Sequence, residues 1–522
     1  MKKIILLLIA VSCFGLIDNC FSQPAIQWEK CLGGSGEDDG SAICQTNDGG
    51  YLVVGFSSSH NGNLDSSNHG GAWIIKLDNN GAIQWEKSYG GTSYGDYLAS
   101  IAQTSDGGYI LAGETDSNNG DITGNHGGND AWVLKLNNIG AVQWSKCYGG
   151  TGEDDASSIL QTTDGGYIFV GGTISNNGDV IGNHGNYDAW VVKLNDTGAI
   201  EWSRCYGGSN GDVGNVIAKT QDGGYVIAAN SLSTDGDATG NLYAANGAGW
   251  VIKLDIAGTI QWQKCYGGYN GGMNGYSIIT TTGGGYLLGG NTSATNGDIL
   301  GNHGGIDYYV IKLTDTGDIQ WQKCYGGSGN DYGYSIVNTI DGNYAIGGYS
   351  NSTDGQVTGN HGGSDYWVVK LDTNGTLIWE KSYGSSFDDW AYSMVATSDN
   401  GIALTGSTNG HDNDVTGYHG GLFDYWVVKL APDSMVGIDE VQNKEGIRVY
   451  PNPANNILNI QLSSIINKEE LFITDVLGNS VYHQTLNNLT TNIDVSGFSN
   501  GVYFYQITNN KETYRGKFVV EK

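Results

Sequence analysis

The sequence predicts an all-β fold in which seven four-stranded antiparallel sheets close into a ring, followed by a smaller β-sandwich. Three series of repeated residues predict it. The motif (I/V/L)-x-W recurs at Trp28, Trp85, Trp144, Trp202, Trp262, Trp321 and Trp379, always 57 to 60 residues apart. An aromatic-(V/I)-(V/I/L)-Lys-Leu motif runs through Trp73, Trp132, Trp190, Trp250, Tyr309, Trp367 and Trp426. The turn Asp-Gly-Gly-Tyr ends at Tyr51, Tyr109, Tyr167 and Tyr225, and is varied before Tyr286, Tyr344 and Ile402.

Within one copy, four β-rich segments separate cleanly: Leu98–Thr104, Tyr109–Glu114, Ala131–Leu136 and Ala141–Tyr148. Asp106-Gly107-Gly108 joins the first two as a hairpin, since Gly enters positive φ without steric cost, and Asn137 to Gly140 joins the last two. The long stretch Thr115 to Asp130 is polar and Gly-rich, hence a surface loop. No segment holds a helical period, so each copy is a sheet. An open stack would need polar caps at its ends, but the end copies are as apolar as the rest. The repeat region also starts with a fourth strand, Ala25–Lys30, and ends with a third, Tyr425–Leu430, so the N-terminal strand completes the last sheet. This shared closure resembles known β-propellers, and a seven-bladed propeller over about 24–431 is expected.

Composition agrees. Gly supplies 85 of 522 residues, without the three-residue period of collagen, while 14 Trp, 32 Tyr and 10 Phe give packing surface that a disordered chain lacks. The net charge of −30 speaks against nucleic acid as a partner, because phosphate binding relies on Lys and Arg. At the front, Lys2 and Lys3, the apolar run from Ile4 to Ala10 and the small Ser22 match the three parts of a secretory signal peptide over 1–22, with a mature start at Gln23. A lipoprotein-type box at Ala10 to Cys13 is the alternative. No later stretch is apolar enough to span a bilayer, so no transmembrane segment is expected in the mature chain.

Six Cys follow the signal segment. Cys31, Cys147, Cys205, Cys265 and Cys324 occupy one equivalent place on different sheets, too far apart for the roughly 7 Å limit of a disulfide; with Cys44 they are expected as free thiols. Gly207-Gly-Ser209-Asn-Gly211 fits the G-x-S-x-G pattern, but no helix follows to make a nucleophile elbow.

In such a ring the loops entering the first strand and those leaving the second emerge on one face, and here both are acidic. Asp38, Asp96, Asp154, Asp212, Asp331 and Asp389 begin the first strands, with Met273 the exception. The long loop carries (D/N)-x-D-x-x-G-N-H-G-G-x-D, as in Asn119 to Asp130, with related copies at Asp179, His184 and Asp188, at Asp298, His303 and Asp307, and at Asp414, His419 and Asp424. Copy four, Asn241 to Gly249, has no His. These residues either brace the loops through hydrogen bonds or supply calcium ligands, with Asp121, Asp179, Asp298 and Asp414 as the candidates. A ligand site is expected where copies differ, at Asp388, Asp389 and Trp390, since Trp390 is the one Trp outside the two repeated series.

After a polar linker over 432–445, a different domain covers 446–522. Val449-Tyr-Pro-Asn-Pro453, Leu458-Asn-Ile460, the Asp475-x-x-Gly-Asn479 turn, Gly501-Val-Tyr503 and Lys517 to Val520 resemble, in this order, the C-terminal sorting domain of type IX secretion cargo. Its alternating runs suit a small β-sandwich. The resemblance implies export across the inner membrane, recognition of the tail by the type IX machinery, and delivery to the surface or medium of a Bacteroidetes-type bacterium. Asp433-Ser-Met435 resembles the short glycosylation site of such bacteria. With no nucleophile and base set apparent, the expected function is a non-enzymatic binding or scaffold module for glycan or protein; the alternative is a glycan- or peptide-acting hydrolase or lyase.

Overall fold

The computed structural model describes residues 23–64, 70–433, 447–462, 469–475, 480–508 and 513–522. The expected signal peptide, most of the linker with Ser434 and Met435, and Gly478-Asn479 of the tail motif lie outside them. Two compact units are present, Gln23–Ser434 and one that takes in the described residues from Ile447 to Lys522.

The first unit is a ring of seven four-stranded sheets, and the only helical element among the described residues is a 3-10 turn at Gly236–Ala238. Blade two shows the pattern, with strands Tyr97–Gln103, Tyr109–Thr115, Asp130–Leu136 and Val142–Tyr148 paired antiparallel in that order from the axis outward. The third strand is buried along its whole length in every blade, and the second is buried at all but at most one position, as expected of sheets covered on both faces. In the hairpin, Gly107 adopts φ +80°, and Asp106 accepts the Gly108 N–H at 3.0 Å, an Asx-type turn.

The N-terminal strand Ile26–Leu32 pairs with Asp424–Leu430 and completes blade seven. Neighbouring blades are tied by one recurring bond: the Tyr that ends the fourth strand of blades one to six donates to the next blade, as Tyr148 to Gly198 O at 2.6 Å and Tyr266 to Gly317 O at 2.6 Å. Tyr383 of blade six makes the same bond to Pro24 O at 2.7 Å, so the closing strand is gripped as any other. The repeated Trp residues are packing groups: Trp73, Trp132, Trp190, Trp250, Trp367 and Trp426 are fully buried, and Trp144 sits edge-on to Tyr167 of the next blade at 5.8 Å. Fully burying such a ring is worth several kcal/mol.

At the opposite end from the acidic loops, Lys76, Lys135, Lys193, Lys253, Lys370 and Lys429 of the third strands pair at 2.6 to 3.0 Å with Asp48, Asp106, Asp164, Asp222, Asp341 and Asp399 of the inner hairpins. Blade five breaks this clamp. Gly283 stands where the Asp belongs, and Lys312 instead donates to the Thr281 hydroxyl and to Gly284 O at 3.0 Å; burial lowers its ammonium from the ordinary Lys value. Asp433 reaches back to the ring, accepting from Lys370 at 2.5 Å and the Trp379 indole at 3.1 Å.

The six Cys among the described residues are unbridged. Burial pushes the Cys147, Cys205 and Cys324 thiols up to about 12, so they behave as small apolar groups rather than nucleophiles.

The second unit packs a three-stranded sheet, Ile447–Tyr450, Ile457–Leu462 and Thr490–Asp494, with a four-stranded sheet made of Ser480–Leu486, Glu469–Thr474, Gly501–Thr508 and Thr513–Val520. Leu458, Ile460, Leu471, Ile473, Ile493 and Phe518 fill the shared core.

Candidate functional site

The repeated Asp at the start of each first strand is fully inside the fold. Asp154 accepts the Gly150 N–H at 2.7 Å and the Ser175 hydroxyl at 2.8 Å, and a third bond comes from Thr173. Its own N–H donates to Asn129 O of the preceding blade at 2.8 Å. The same set surrounds Asp38 and Asp331. Asp389 belongs with them: it is fully buried and held by Ser385 N–H at 2.6 Å, the Ser385 hydroxyl at 2.8 Å and Thr408. Burial pushes it up to about 6.

The loop His residues work in pairs with a buried Asp of the third strand. His126 to Asp130, His184 to Asp188 and His361 to Asp365 meet at 2.6 Å, and His303 to Asp307 and His419 to Asp424 at 2.7 Å. The pair in blade six is easily passed over in the sequence because Gln356 replaces the leading Asp of its loop. In each pair the second carboxylate oxygen is buried without a hydrogen-bond partner, and a repeated Asp of the next blade lies close by. Burial raises Asp130, Asp188, Asp307 and Asp424, and the neighbouring carboxylate adds to it. The junction of blades four and five has none of this: Ala248 and Met273 replace both acids, and both are fully buried.

Asp121, Asp179, Asp298 and Asp414 lie in four different blades. Each faces the N–H of the Gly that follows the preceding fourth strand, at 3.4 Å for Asp121, Asp179 and Asp298 and 3.3 Å for Asp414. Among the described residues no three His, Cys, Asp or Glu side chains gather around a point that could hold a metal ion.

What does not repeat is the position immediately after the buried Asp. Around the ring it is Asp39, Tyr97, Asp155, Val213, Asn274, Tyr332 and Trp390, and two residues further on Tyr276, Tyr334 and Tyr392 appear in blades five to seven only. A β-bulge separates these two positions, for example between Gly333 and Ser335, and re-aims the side chains. In blades five to seven the rings touch from blade to blade, Tyr276 and Tyr334 at 5.1 Å, Tyr334 and Tyr392 at 5.6 Å and Tyr349 and Trp390 at 6.0 Å, and within blade seven Trp390 meets Phe423 at 4.8 Å. All remain half-buried, with part of each ring open to solvent. Asp388 lies beside this arc, accepting the Ser364 N–H at 3.0 Å.

The other side of the ring is acidic. Asp155 bonds the Ser157 hydroxyl at 2.8 Å, and burial, with help from Glu114 and Asp154, pushes it up to about 6. Burial likewise raises Asp39, which accepts from Ser407 at 2.5 Å, and Glu114, which accepts from Asn129 at 3.2 Å. Among the described residues none of these three meets a Lys or Arg. Indeed no Lys or Arg occurs in any loop of the ring at this face, nor in the first two strands of any blade except Lys219 at the far end of blade four.

The tail unit shows why its sequence motif is spaced as it is. Asn452 of Tyr-Pro-Asn-Pro accepts the Val519 N–H at 2.8 Å, Ala454 N–H donates to Val519 O at 2.7 Å, and Asn500 beside Gly501 accepts the Lys522 N–H at 3.1 Å. The motif pieces thus converge on the last strand. Residues 448–521 match the family model described as "Secretion system C-terminal sorting domain". The chain is type IX secretion cargo. Its tail indicates a secreted or cell-surface protein, and among the described residues no helix is long and apolar enough to cross a membrane.

Solved structures similar to this cargo include the extracellular domain of a one-component system of B. thetaiotaomicron, at 13% identity over 92% of this chain and 68% of that one, with a TM-score of 0.33. Another is PorZ, a surface component of the type IX secretion system of Porphyromonas gingivalis, at 10% identity over 97% of this chain and 88% of that one, with a TM-score of 0.24. Likeness at these scores assigns no ligand or activity to the cargo. No curated protein matches it.

Of the positions predicted from sequence, Trp390 stands in the arc and Asp388 beside it, whereas Asp389 faces inward. Asp39, Glu114, Asp155 and the three Tyr of the bulge position were not legible as a site. Their only signal is variation at a fixed offset from a repeated Asp.

Proposed function

We propose that the ring is a non-enzymatic binding module, carried outside the cell by its tail, that takes glycan or protein at the face where the first strands begin. The observation that carries this is the contrast between an invariant scaffold and the non-repeating, half-buried aromatic and acidic positions beside it. Aromatic rings offer large contact area at low conformational cost, which suits recognition surfaces. A hydrolase would need a general acid and base placed around a substrate site. Asp155 has a raised carboxyl, as a general acid would, but it is bonded to the Ser157 hydroxyl two residues along its own segment.

The test is an array of glycans and peptides probed with the mature chain, followed by product analysis of each hit. Binding without turnover supports the module. Turnover that is lost in Asp155→Asn would overturn it in favour of the hydrolase or lyase.

A further inference from the structure

We infer that the face of the ring where the first strands begin docks a polypeptide through one exposed Arg or Lys side chain, whose charged head sits against Asp39, Glu114 and Asp155 while its neighbours lie on the aromatic arc. The inference rests on the binding-module reading and names the partner's chemistry.

Charge carries the choice. Buried or half-buried carboxylates are normally matched by a cation, and the ring follows that rule elsewhere: at the opposite end six hairpin Asp residues each hold a Lys at 2.6 to 3.0 Å. At this face three acids stand on adjoining strands without such a partner among the described residues: Ala156 N–H donates to Gly113 O at 3.2 Å beside Asp155 and Glu114, and the Ser41 hydroxyl donates to Leu98 O beside Asp39 and the Tyr97 that pairs with Glu114. Burial raises all three, Asp155 also feels Glu114, and Asp39 feels Asp38. Burial, Glu153, Asp155 and Glu114 in turn raise the Tyr187 phenol of the blade-three loop, so Glu114 and Asp155 share one field. Because no Lys or Arg of the ring stands in the loops at this face, the missing cation has to come from another molecule. Such a field also speeds the encounter with a basic partner.

The aromatic side fits the same partner. Tyr334 lies between Tyr276 at 5.1 Å and Tyr392 at 5.6 Å, and a guanidinium or ammonium over such rings is held by cation–π attraction. Tyr392 feels Asp39 as well as Tyr334 once burial has raised it, so the arc and the acids adjoin through blade seven. A neutral glycan would use the rings but leave the acids unmatched.

The test uses the mature chain with two capped pentapeptides, Gly-Gly-Arg-Gly-Gly and its citrulline twin, which keeps the shape and removes the charge. Calorimetry should show one site for the arginine peptide, at least tenfold weaker binding of the citrulline peptide, and weakening of the arginine peptide with added salt. Asp39→Asn with Asp155→Asn should reduce arginine binding at least tenfold, whereas Asp196→Asn, an exposed acid on an outer turn, should leave it unchanged. Circular dichroism and melting of each variant separate lost binding from lost folding. Equal affinity for the two peptides, or full binding by the double variant, would overturn the inference. So would a neutral glycan that binds through Trp390 while neither peptide binds, though that result would leave the binding-module reading standing. Absence of any ligand on the arrays would remove both.

Discussion

Asp154 and Asp155 are neighbours in blade three and have opposite fates around the ring. The first place is Asp in six blades and Met273 in blade five; the second is a different kind of residue almost everywhere, from Val213 to Trp390. The buried residue is fixed because its bonds to a loop and a preceding blade set the spacing of the ring. Its neighbour is free to change because it touches little of that network. The pair teaches that in a repeat protein scaffold and recognition can be separated by a single residue.

The largest effect should come from the scaffold. Trp132→Ala empties a fully buried indole site and should destabilise the ring by about 3 to 5 kcal/mol, read as a fall in the denaturant midpoint. A loss below about 1 kcal/mol would mean that the repeated Trp positions do not hold the blades.

A subtler break concerns the acid pairs. Asp365 is buried with one oxygen unpartnered and Asp389 nearby. Burial raises its carboxyl, the His361 bonds oppose that, and Asp389 adds to it. A carboxyl raised in the folded state gives stability that is full below the unfolded value near 4 and is lost as pH climbs through the folded value. With Asp389 and Asp155 at about 6, the melting temperature should fall between pH 5 and pH 7.5. Asp365→Asn puts an amide where the orphan oxygen stood. It should raise stability at pH 7.5 by about 1 to 3 kcal/mol and flatten the decline; an unchanged slope would show that the acid pairs carry no strain.

Blade five offers a smaller gain of the same kind. A side chain at Gly283 meets nothing within 4 Å, so Gly283→Asp should rebuild the missing clamp to Lys312. The six existing Asp partners are mostly half-exposed, so the expected gain is about 0.5 to 1 kcal/mol, visible as a small rise in melting temperature.

Much of this architecture could be read in the sequence. The period of 57 to 60 residues, the phase of the first and last strands, and Asp-Gly-Gly turns predict the blades, and the expected strands of blade two differ from the observed ones by about a residue at their ends. Such features rest on local turn chemistry and repetition. The site was harder. Trp390 stands out by breaking a series, but the bulge between positions such as Gly333 and Ser335 interrupts the two-residue alternation, so period alone does not say that Tyr334 joins Tyr276. Asp155 and Glu114 come together only across a blade junction, which no local pattern records.

The central claim is that the varied positions bind and the repeated ones build. Its most direct measurement replaces Trp390 with Val and Tyr392 with Asn, the residues blade four already carries at these places as Val213 and Asn215, and records melting and array binding on the same preparation. The prediction is a stability change within about 1 kcal/mol together with at least a tenfold loss of binding to whatever the unaltered chain captures. Undiminished binding by this variant would contradict the claim.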